Sequence, residues 1–183
     1  MSTVSNGMMI LRATAEDAEL LAVLGAVTFY EAYFEQDDPA ELAAYVIRSF
    51  STSEIRGQID DENSIFFIAY LEGKAVGYAR LVYGEPDPSV TSKNTIELRR
   101  IYVLERCWGK GVGEALLRHC ERIAQEMGKE SIWLGVWQQN ERGQRFYAKQ
   151  EYRKVGTLTF PYGDSEGIND VMEKDLSSDS PNR

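Results

Sequence analysis

Residues 95–117 read TIELRRIYVLERCWGKGVGEALL, and this stretch decides the fold. Its first part, Thr95–Val103, mixes β-branched and aromatic residues and closes on an unbroken apolar run, the pattern of a central, buried strand. A helix is expected from about Gly111 to Met127, with Leu116, Leu117, Cys120, Ile123, Ala124 and Met127 as its core stripe and Gly128 as its stop. Between the two, Gly109, Gly111 and Gly113 alternate. A strand that enters a helix through glycines aims unpaired backbone N–H groups and the positive end of the helix dipole at one point, which is how proteins hold phosphate oxygens. Glycine lets a ligand approach the backbone and permits φ values that other residues disfavour. The same glycines also suit a tight turn with close helix packing, and the residues alone leave both readings open. No Gly-Lys-Ser/Thr ending follows, so this is not a magnesium–nucleotide loop. No acidic residue stands about 20 positions on at a strand end, which leaves a dinucleotide fold weakly supported.

Working outward, the upstream third is helical after a short strand at Met9–Arg12. Thr14 with Asp17 reads as a capping box for a helix to about Phe34, its apolar face Leu20, Leu21, Leu24, Val27 and Thr28. Asp38-Pro39 with Glu41 opens a second helix with Leu42, Tyr45 and Val46 inward, and Ser51 with Glu54 opens a third near Gly57. The period then turns to alternation. Ser64–Leu71 and Ala75–Tyr83 are strand runs joined by Glu72-Gly73-Lys74, a hairpin signature. Downstream, Ser131–Trp137 is a strand, Asn140–Gln150 a helix, and Tyr152–Phe160 and Ile168–Leu176 two further strands. The expected class is α/β (α+β): a central mixed sheet of about seven strands flanked by helices. One domain is expected over residues 9–176, with disordered tails at 1–8 and 177–183.

The composition suits one soluble domain of 183 residues, with 43% hydrophobic and 27% charged residues. No apolar run approaches a membrane span, and the N-terminus lacks the features of a secretory signal, so a cytoplasmic protein is expected. Cys107 and Cys120 have no metal-ligand spacing and read as reduced thiols; with a single histidine, no metal site is expected. The net charge of −9 repels nucleic acid and leans toward cationic partners.

The central stretch resembles the acyl-CoA pyrophosphate loop of the GNAT superfamily of N-acetyltransferases, whose pattern is Gln or Arg, two residues, Gly, one residue, Gly or Ala. Gly111 and Gly113 match; Trp108 stands where Gln or Arg is usual, which puts a side-chain contact in doubt while the backbone cradle remains. The later stretch SIWLGVWQQNERGQRFYAKQEYRKVG, 131–156, is similar to the second half of that family's site, with Asn140 at the helix start and the pair Phe146–Tyr147. Glu151–Tyr152 replaces the usual Gly-Phe. The likeness runs from about Met9 to Leu176. The segments TFYEAYF, DDPAELAAYV, NSIFFIAYLEGKAVGYARL and GTLTFPYGDSEGINDVMEKDL look like those of the PaiA-type polyamine acetyltransferases.

What this resemblance implies is an acetyl-CoA-dependent N-acetyltransferase acting directly on a primary amine, with a polyamine as the narrower expectation. It implies two parallel strands, Thr95–Val103 and Ser131–Trp137, that splay apart at one end. The backbone from Ile101 through Tyr102 to Val103 would pair with the pantetheine arm, and the amides of Gly109, Lys110, Gly111, Val112, Gly113 and Glu114 would receive the pyrophosphate. Asn140 would hold the arm from the other side, or serve only as a helix cap; Lys149 would meet a CoA phosphate, or be a solvated helix charge. The partner is a small-molecule amine, with no nucleic acid, no membrane, and a homodimer left open.

An alkylammonium of pKa about 10.4 is roughly one part in a thousand neutral at pH 7.4, so forming the nucleophile costs about 4 kcal/mol unless the site helps. Glu97 is the family-like base, or else a strand carboxylate paired with Arg99 or Arg80. Tyr147 is the candidate acid: a phenol of pKa about 10 stays protonated and can give a proton to a leaving thiolate of pKa about 8.5. Its other reading is core packing beside Phe146. An acyl-enzyme on Cys107 is disfavoured, since no histidine lies near to activate it. His119 reads as structural or solvated. The acidic groups Glu35–Asp38, Asp60–Glu62 and Asp164–Glu166 are either solvated turns or the entrance for a polycation. The rival class is a CoA-binding sensor without turnover.

Overall fold

The computed structural model describes residues 7–162 and 165–177. In chain order its elements are β1 (Met8–Arg12), α1 (Ala18–Tyr33), α2 (Pro39–Ser49), α3 (Thr52–Asp60), β2 (Ser64–Leu71), β3 (Lys74–Val82), β4 (Thr95–Val103), α4 (Val112–Glu126), β5 (Ser131–Trp137), α5 (Glu141–Lys149), β6 (Arg153–Tyr162) and β7 (Ser165–Asp175). The strands form one seven-stranded sheet in the order β1-β2-β3-β4-β5-β7-β6. It is mixed: β4 and β5 are parallel, whereas β1–β2, β5–β7 and β6–β7 are antiparallel. The fold is therefore the α/β arrangement the sequence predicts. The chain divides into two compact units, the first holding the described residues through Leu81 with Arg100–Cys120, the second Val82–Arg99 with the described residues from Glu121 on.

In the first unit the helix starts follow their caps. Asp17 accepts from both the N–H and the hydroxyl of Thr14, across a short 3₁₀ turn at Ala15–Asp17 that precedes α1. Asp38 accepts from the N–H groups of Ala40 and Glu41, with Pro39 at the first position of α2, and Ser51 accepts from Glu54 N–H to start α3. The β2–β3 turn places both Glu72 (φ 51°) and Gly73 (φ 74°) in the left-handed region, which fits a tight hairpin. The apolar face of α1 differs from expectation. Its buried side is Ala18, Leu21, Ala22, Leu24, Gly25, Thr28 and Phe29, while Leu20 and Val27 are exposed. α1 is apolar nearly all round, so periodicity could not choose its inner face. Met8, expected in the tail, is the first residue of β1 and pairs with Leu71. Residues 1–6 and 178–183 of the expected tails lie outside the described residues.

Gly77 of β3 sits in a close approach. A Cβ there would lie 2.8 Å from the Tyr102 carbonyl oxygen, 3.0 Å from Val103 Cγ2 and 3.3 Å from Leu116 Cδ1. Only glycine lets β3, the end of β4 and the core side of α4 meet this tightly.

In the second unit β5 pairs along its whole length with β7, and β6 with β7. The hairpin is longer toward its tip than expected: pairing continues through Pro161↔Glu166 and Tyr162↔Ser165, because backbone hydrogen bonds carry the ladder past residues that lack the apolar alternation. Asp164, part of the acidic group noted above, lies outside the described residues. The segment before β4 is held from β7. Glu173, 8% exposed, accepts from the N–H groups of Thr91 (2.9 Å) and Ser92 (3.3 Å) and from the Ser131 hydroxyl (2.7 Å). Burial alone would raise its carboxyl, but these hydrogen bonds outweigh that and the net shift is downward. Gly128, with φ 71°, ends α4 as expected.

Candidate active site

In the first unit, β4, the glycine loop and the start of α4 bring Ile101, Tyr102, Val103, Gly109, Lys110, Gly111, Val112, Gly113 and Glu114 together as one strand–loop–helix. Leu104 N–H donates to Val76 C=O at 2.9 Å, and the Tyr102 carbonyl faces Gly77. Amide groups alternate sides along a strand, so those of Ile101 and Val103 point to the opposite edge of β4. The Val103 carbonyl accepts the Trp108 indole N–H at 2.8 Å. The side chain that departs from the family pattern therefore supplies a contact of its own, tying the loop to the strand end. Glu31 of α1 accepts the Glu105 N–H at 2.9 Å and ties the loop a second time.

Gly109 (φ 74°) and Gly111 (φ 79°) are both left-handed, and a Cβ at either would meet no heavy atom within 4 Å. The open space speaks against close packing at these two glycines, while their left-handed φ values suit a tight turn and a ligand loop alike. Among the described residues the N–H groups of Gly111, Val112, Gly113 and Glu114 have no acceptor; the first amide of α4 to find one is Ala115, bonded to Gly111 C=O at 2.9 Å. Converging orphan amides at a helix start fit a diphosphate.

In the second unit, α5 carries Asn140, Tyr147 and Lys149, and β4 carries Glu97. Asn140 caps α5, its Oδ1 accepting Gly143 N–H at 2.8 Å, which leaves its amide N–H₂ as donor. Tyr147 is half-buried in edge contact with Phe146 (5.2 Å between centroids) and Tyr152 (5.7 Å). Lys149 is exposed in the last turn of α5, where a cation suits the helix dipole. Glu97 is doubly engaged by Arg99, whose Nε meets Oε1 at 2.5 Å and whose Nη2 meets Oε2. That hydrogen bond, more than any other cause, raises the Arg99 guanidinium. Arg80 donates to the Ser64 hydroxyl at 2.9 Å. β4 pairs with β5 only over Thr95–Glu97 against Ser131–Trp133.

Of the remaining candidates, His119 is buried edge-on to Phe67, and Cys107 and Cys120 are buried and form no disulfide among the described residues. Among the described residues no group of His, Cys, Asp or Glu is arranged to hold a metal ion, and no helix is long and apolar enough to cross a membrane. Glu31 was invisible in the sequence because it acts on Glu105 from 74 positions away.

The profile of the Acetyltransferase (GNAT) family matches residues 25–152, and the chain belongs to that family. It is an acetyl-CoA-dependent N-acetyltransferase. An uncharacterised N-acetyltransferase of Mycobacterium tuberculosis is 32% identical over 160 residues, covering 87% of this chain and 98% of its own. One from Lactobacillus delbrueckii subsp. lactis is 24% identical over 170 residues, covering 93% and 98%. Among solved structures, the PaiA N-acetyltransferase of Thermoplasma acidophilum in complex with coenzyme A superposes with a TM-score of 0.70 at 22% identity, covering 92% of this chain and 98% of that one.

Proposed function

We propose that this protein, through a domain spanning residues 9–176, moves the acetyl group of acetyl-CoA directly to a primary amine in the cytoplasm. The observation that carries the reading is the run of orphan amides from Gly111 to Glu114, set behind two left-handed glycines with open space above them. In this reading those amides and that of Gly109 receive the pyrophosphate, joined by the Lys110 N–H once it leaves the Cys107 carbonyl to which it donates at 3.4 Å, and the Ile101 and Val103 backbone groups receive the arm. The Asn140 amide N–H₂ steadies the arm, and Lys149 meets a CoA phosphate. The bound cosubstrate supplies the thioester. Tyr147 holds a proton at its phenolic oxygen and gives it to the sulfur as the amine nitrogen bonds to the acetyl carbon and the C–S bond breaks. Glu97 takes the amine's proton through water once Arg99 yields one carboxylate oxygen. Transfer is taken as direct, since Cys107 is buried and no histidine lies near it in the sequence.

The narrower acceptor expectation, a polyamine, is supported by the likeness to PaiA-type sequences and by the charge of −9. It predicts that spermidine exceeds a monoamine of similar length in kcat/KM and that salt raises KM more for spermidine.

The test is thiol release from acetyl-CoA with a panel of primary amines, joined to thermal denaturation. Ligand at 100 times its Kd adds about 2.7 kcal/mol, or roughly 5–11 °C in Tm for a domain of this size. Gly111→Val, which cannot hold a left-handed φ without strain, should fold and lose that shift. A variant with the wild-type shift would mean the loop does not bind CoA. Binding without thiol release on any amine would mean a CoA sensor.

A further inference from the structure

In the first unit, side chains on one face of β4 meet the helices in an aromatic cluster whose composition bears on the acceptor. Phe29 lies 4.5 Å from Tyr33, 4.6 Å from Tyr45, 5.5 Å from Phe50 and 5.9 Å from Tyr102 by ring centroids, and Tyr78 stacks on Tyr102 at 6.0 Å. Two polar features in it have fewer polar partners than their chemistry allows. The Tyr78 hydroxyl is fully buried and has no hydrogen-bond partner. It crowds the same spot as Phe50: a Cβ on Gly25 would lie 3.3 Å from Tyr78 Oη and 2.5 Å from Phe50 Cδ1. A buried hydroxyl without a partner in a native fold marks a place for a missing polar group.

The second feature is charge. The Arg100 guanidinium lies over the Phe50 ring at 4.8 Å, and among the described residues its one hydrogen bond is from Nη1 to the neutral Gln58 Oε1 at 3.0 Å. Among the described residues no carboxylate pairs with it, whereas Arg99, Arg118, Arg122 and Arg145 each have one. A second guanidinium, Arg48, lies over Tyr45 at 5.8 Å. The aromatic faces thus already hold cations. Arg100 also immediately precedes Ile101, whose backbone is assigned to the thioester arm, so their Cα atoms are about 3.8 Å apart.

We infer that Arg100, with this aromatic cluster, is the specificity-determining subsite for a carboxylate on the acceptor, so that the acceptor is a primary amine bearing a carboxylate and an apolar body. The inference rests on the acetyltransferase reading above. The guanidinium has unused N–H donors in a planar fork that matches two carboxylate oxygens. The half-buried rings of Tyr33, Tyr45 and Tyr102 accept the apolar body, and a water beneath it meets the Tyr78 hydroxyl. A polyamine's distal ammonium would meet like charge here, so this inference stands against the narrower polyamine expectation, and the diamine in the test decides between them.

The experiment uses the full chain with acetyl-CoA and two matched acceptor sets: 4-aminobutanoate, 1-aminobutane and 1,4-diaminobutane; and phenylalanine with 2-phenylethylamine. In at least one set the carboxylate member should exceed the others at least tenfold in kcat/KM. Arg100→Gln should erase that preference by raising KM for the carboxylate acceptor at least tenfold, with the KM for acetyl-CoA and turnover of the carboxylate-free monoamine as in wild type. Arg100→Lys, which keeps the charge and loses the fork, should fall between, and serves if the glutamine variant does not fold. A carboxylate-free monoamine or diamine that reacts as well as its carboxylate counterpart in both sets overturns the inference and leaves the acetyltransferase standing. So does an Arg100 variant that slows every acceptor alike. Acetyl-CoA binding with no amine acetylated would overturn the transferase reading, and this inference with it.

Discussion

Replacing Gly77 by alanine tests whether β3 fixes the strand end that receives the cosubstrate. By intrinsic preference alone alanine should help, since glycine in a strand interior costs about 0.5–1 kcal/mol. The contacts reverse the sign. The new methyl would stand 2.8 Å from a backbone oxygen, that of Tyr102, and 3.0 Å from Val103 Cγ2. A backbone carbonyl cannot rotate away as a side-chain tip can, so β4 must recede by a few tenths of an ångström. Overpacking of this kind costs about 1–3 kcal/mol, which for a domain of this size lowers Tm by roughly 2–12 °C. Gly57→Ala is the control. Gly57 is exposed in α3 and a Cβ there meets nothing within 4 Å, so helix propensity should raise Tm by roughly 1–4 °C. Both variants are followed by circular dichroism melts with and without acetyl-CoA. The Tm rise on adding acetyl-CoA should shrink in Gly77→Ala, because Ile101 and Val103 flank the displaced carbonyl, and stay at the wild-type value in Gly57→Ala. A Gly77→Ala protein that melts with wild-type and responds fully to acetyl-CoA would refute the argument.

Tyr147→Phe keeps the ring against Phe146 and Tyr152 while removing the hydroxyl, so Tm should hold and turnover should fall about 10²–10⁴-fold; single-turnover rates equal to wild type would remove Tyr147 from the chemistry. Glu173→Gln keeps the shape but forces an N–H₂ toward donors, so it should destabilise the protein at pH 7. Because the folded carboxyl of Glu173 lies below its ordinary value of 4.5, its contribution is present above the unfolded pKa and lost as pH falls through the folded one. Urea titrations should therefore show a gap between wild type and variant at pH 7 that narrows below about pH 4.5; a gap independent of pH would mean the ionised carboxylate is not what matters.

The strand–loop–helix from Thr95 to Glu126 was legible in the sequence because each part is specified locally: β-branched and aromatic residues make β4, glycines permit the left-handed path, and the leucine stripe sets α4. The caps at Asp38, Ser51 and Asn140 were legible for the same reason. The inner face of α1 was not, since apolar residues surround that helix and only the packed neighbours decide which of them are covered. The indole bond from Trp108 to Val103 escaped because the family pattern suggests a loss at that position, while a hydrogen bond depends on where the ring folds back. Glu97 stood between two roles, and its contact with Arg99 rests on side chains two apart sharing one face of a strand. The meaning of Arg100 required seeing what does not surround it.

The carboxylate of Glu173 also has a consequence for how the second unit exchanges its amide protons. The stretch between β3 and β4 forms no strand or helix, so those of its N–H groups that lack an acceptor should trade hydrogen for deuterium within moments of dilution. Thr91 and Ser92 donate to a carboxylate anchored on β7, and their release requires the β5–β7 ladder itself to open. In a deuterium-uptake map these two positions should stand as a slow pair inside a fast segment, ageing on the clock of the sheet rather than that of the loop.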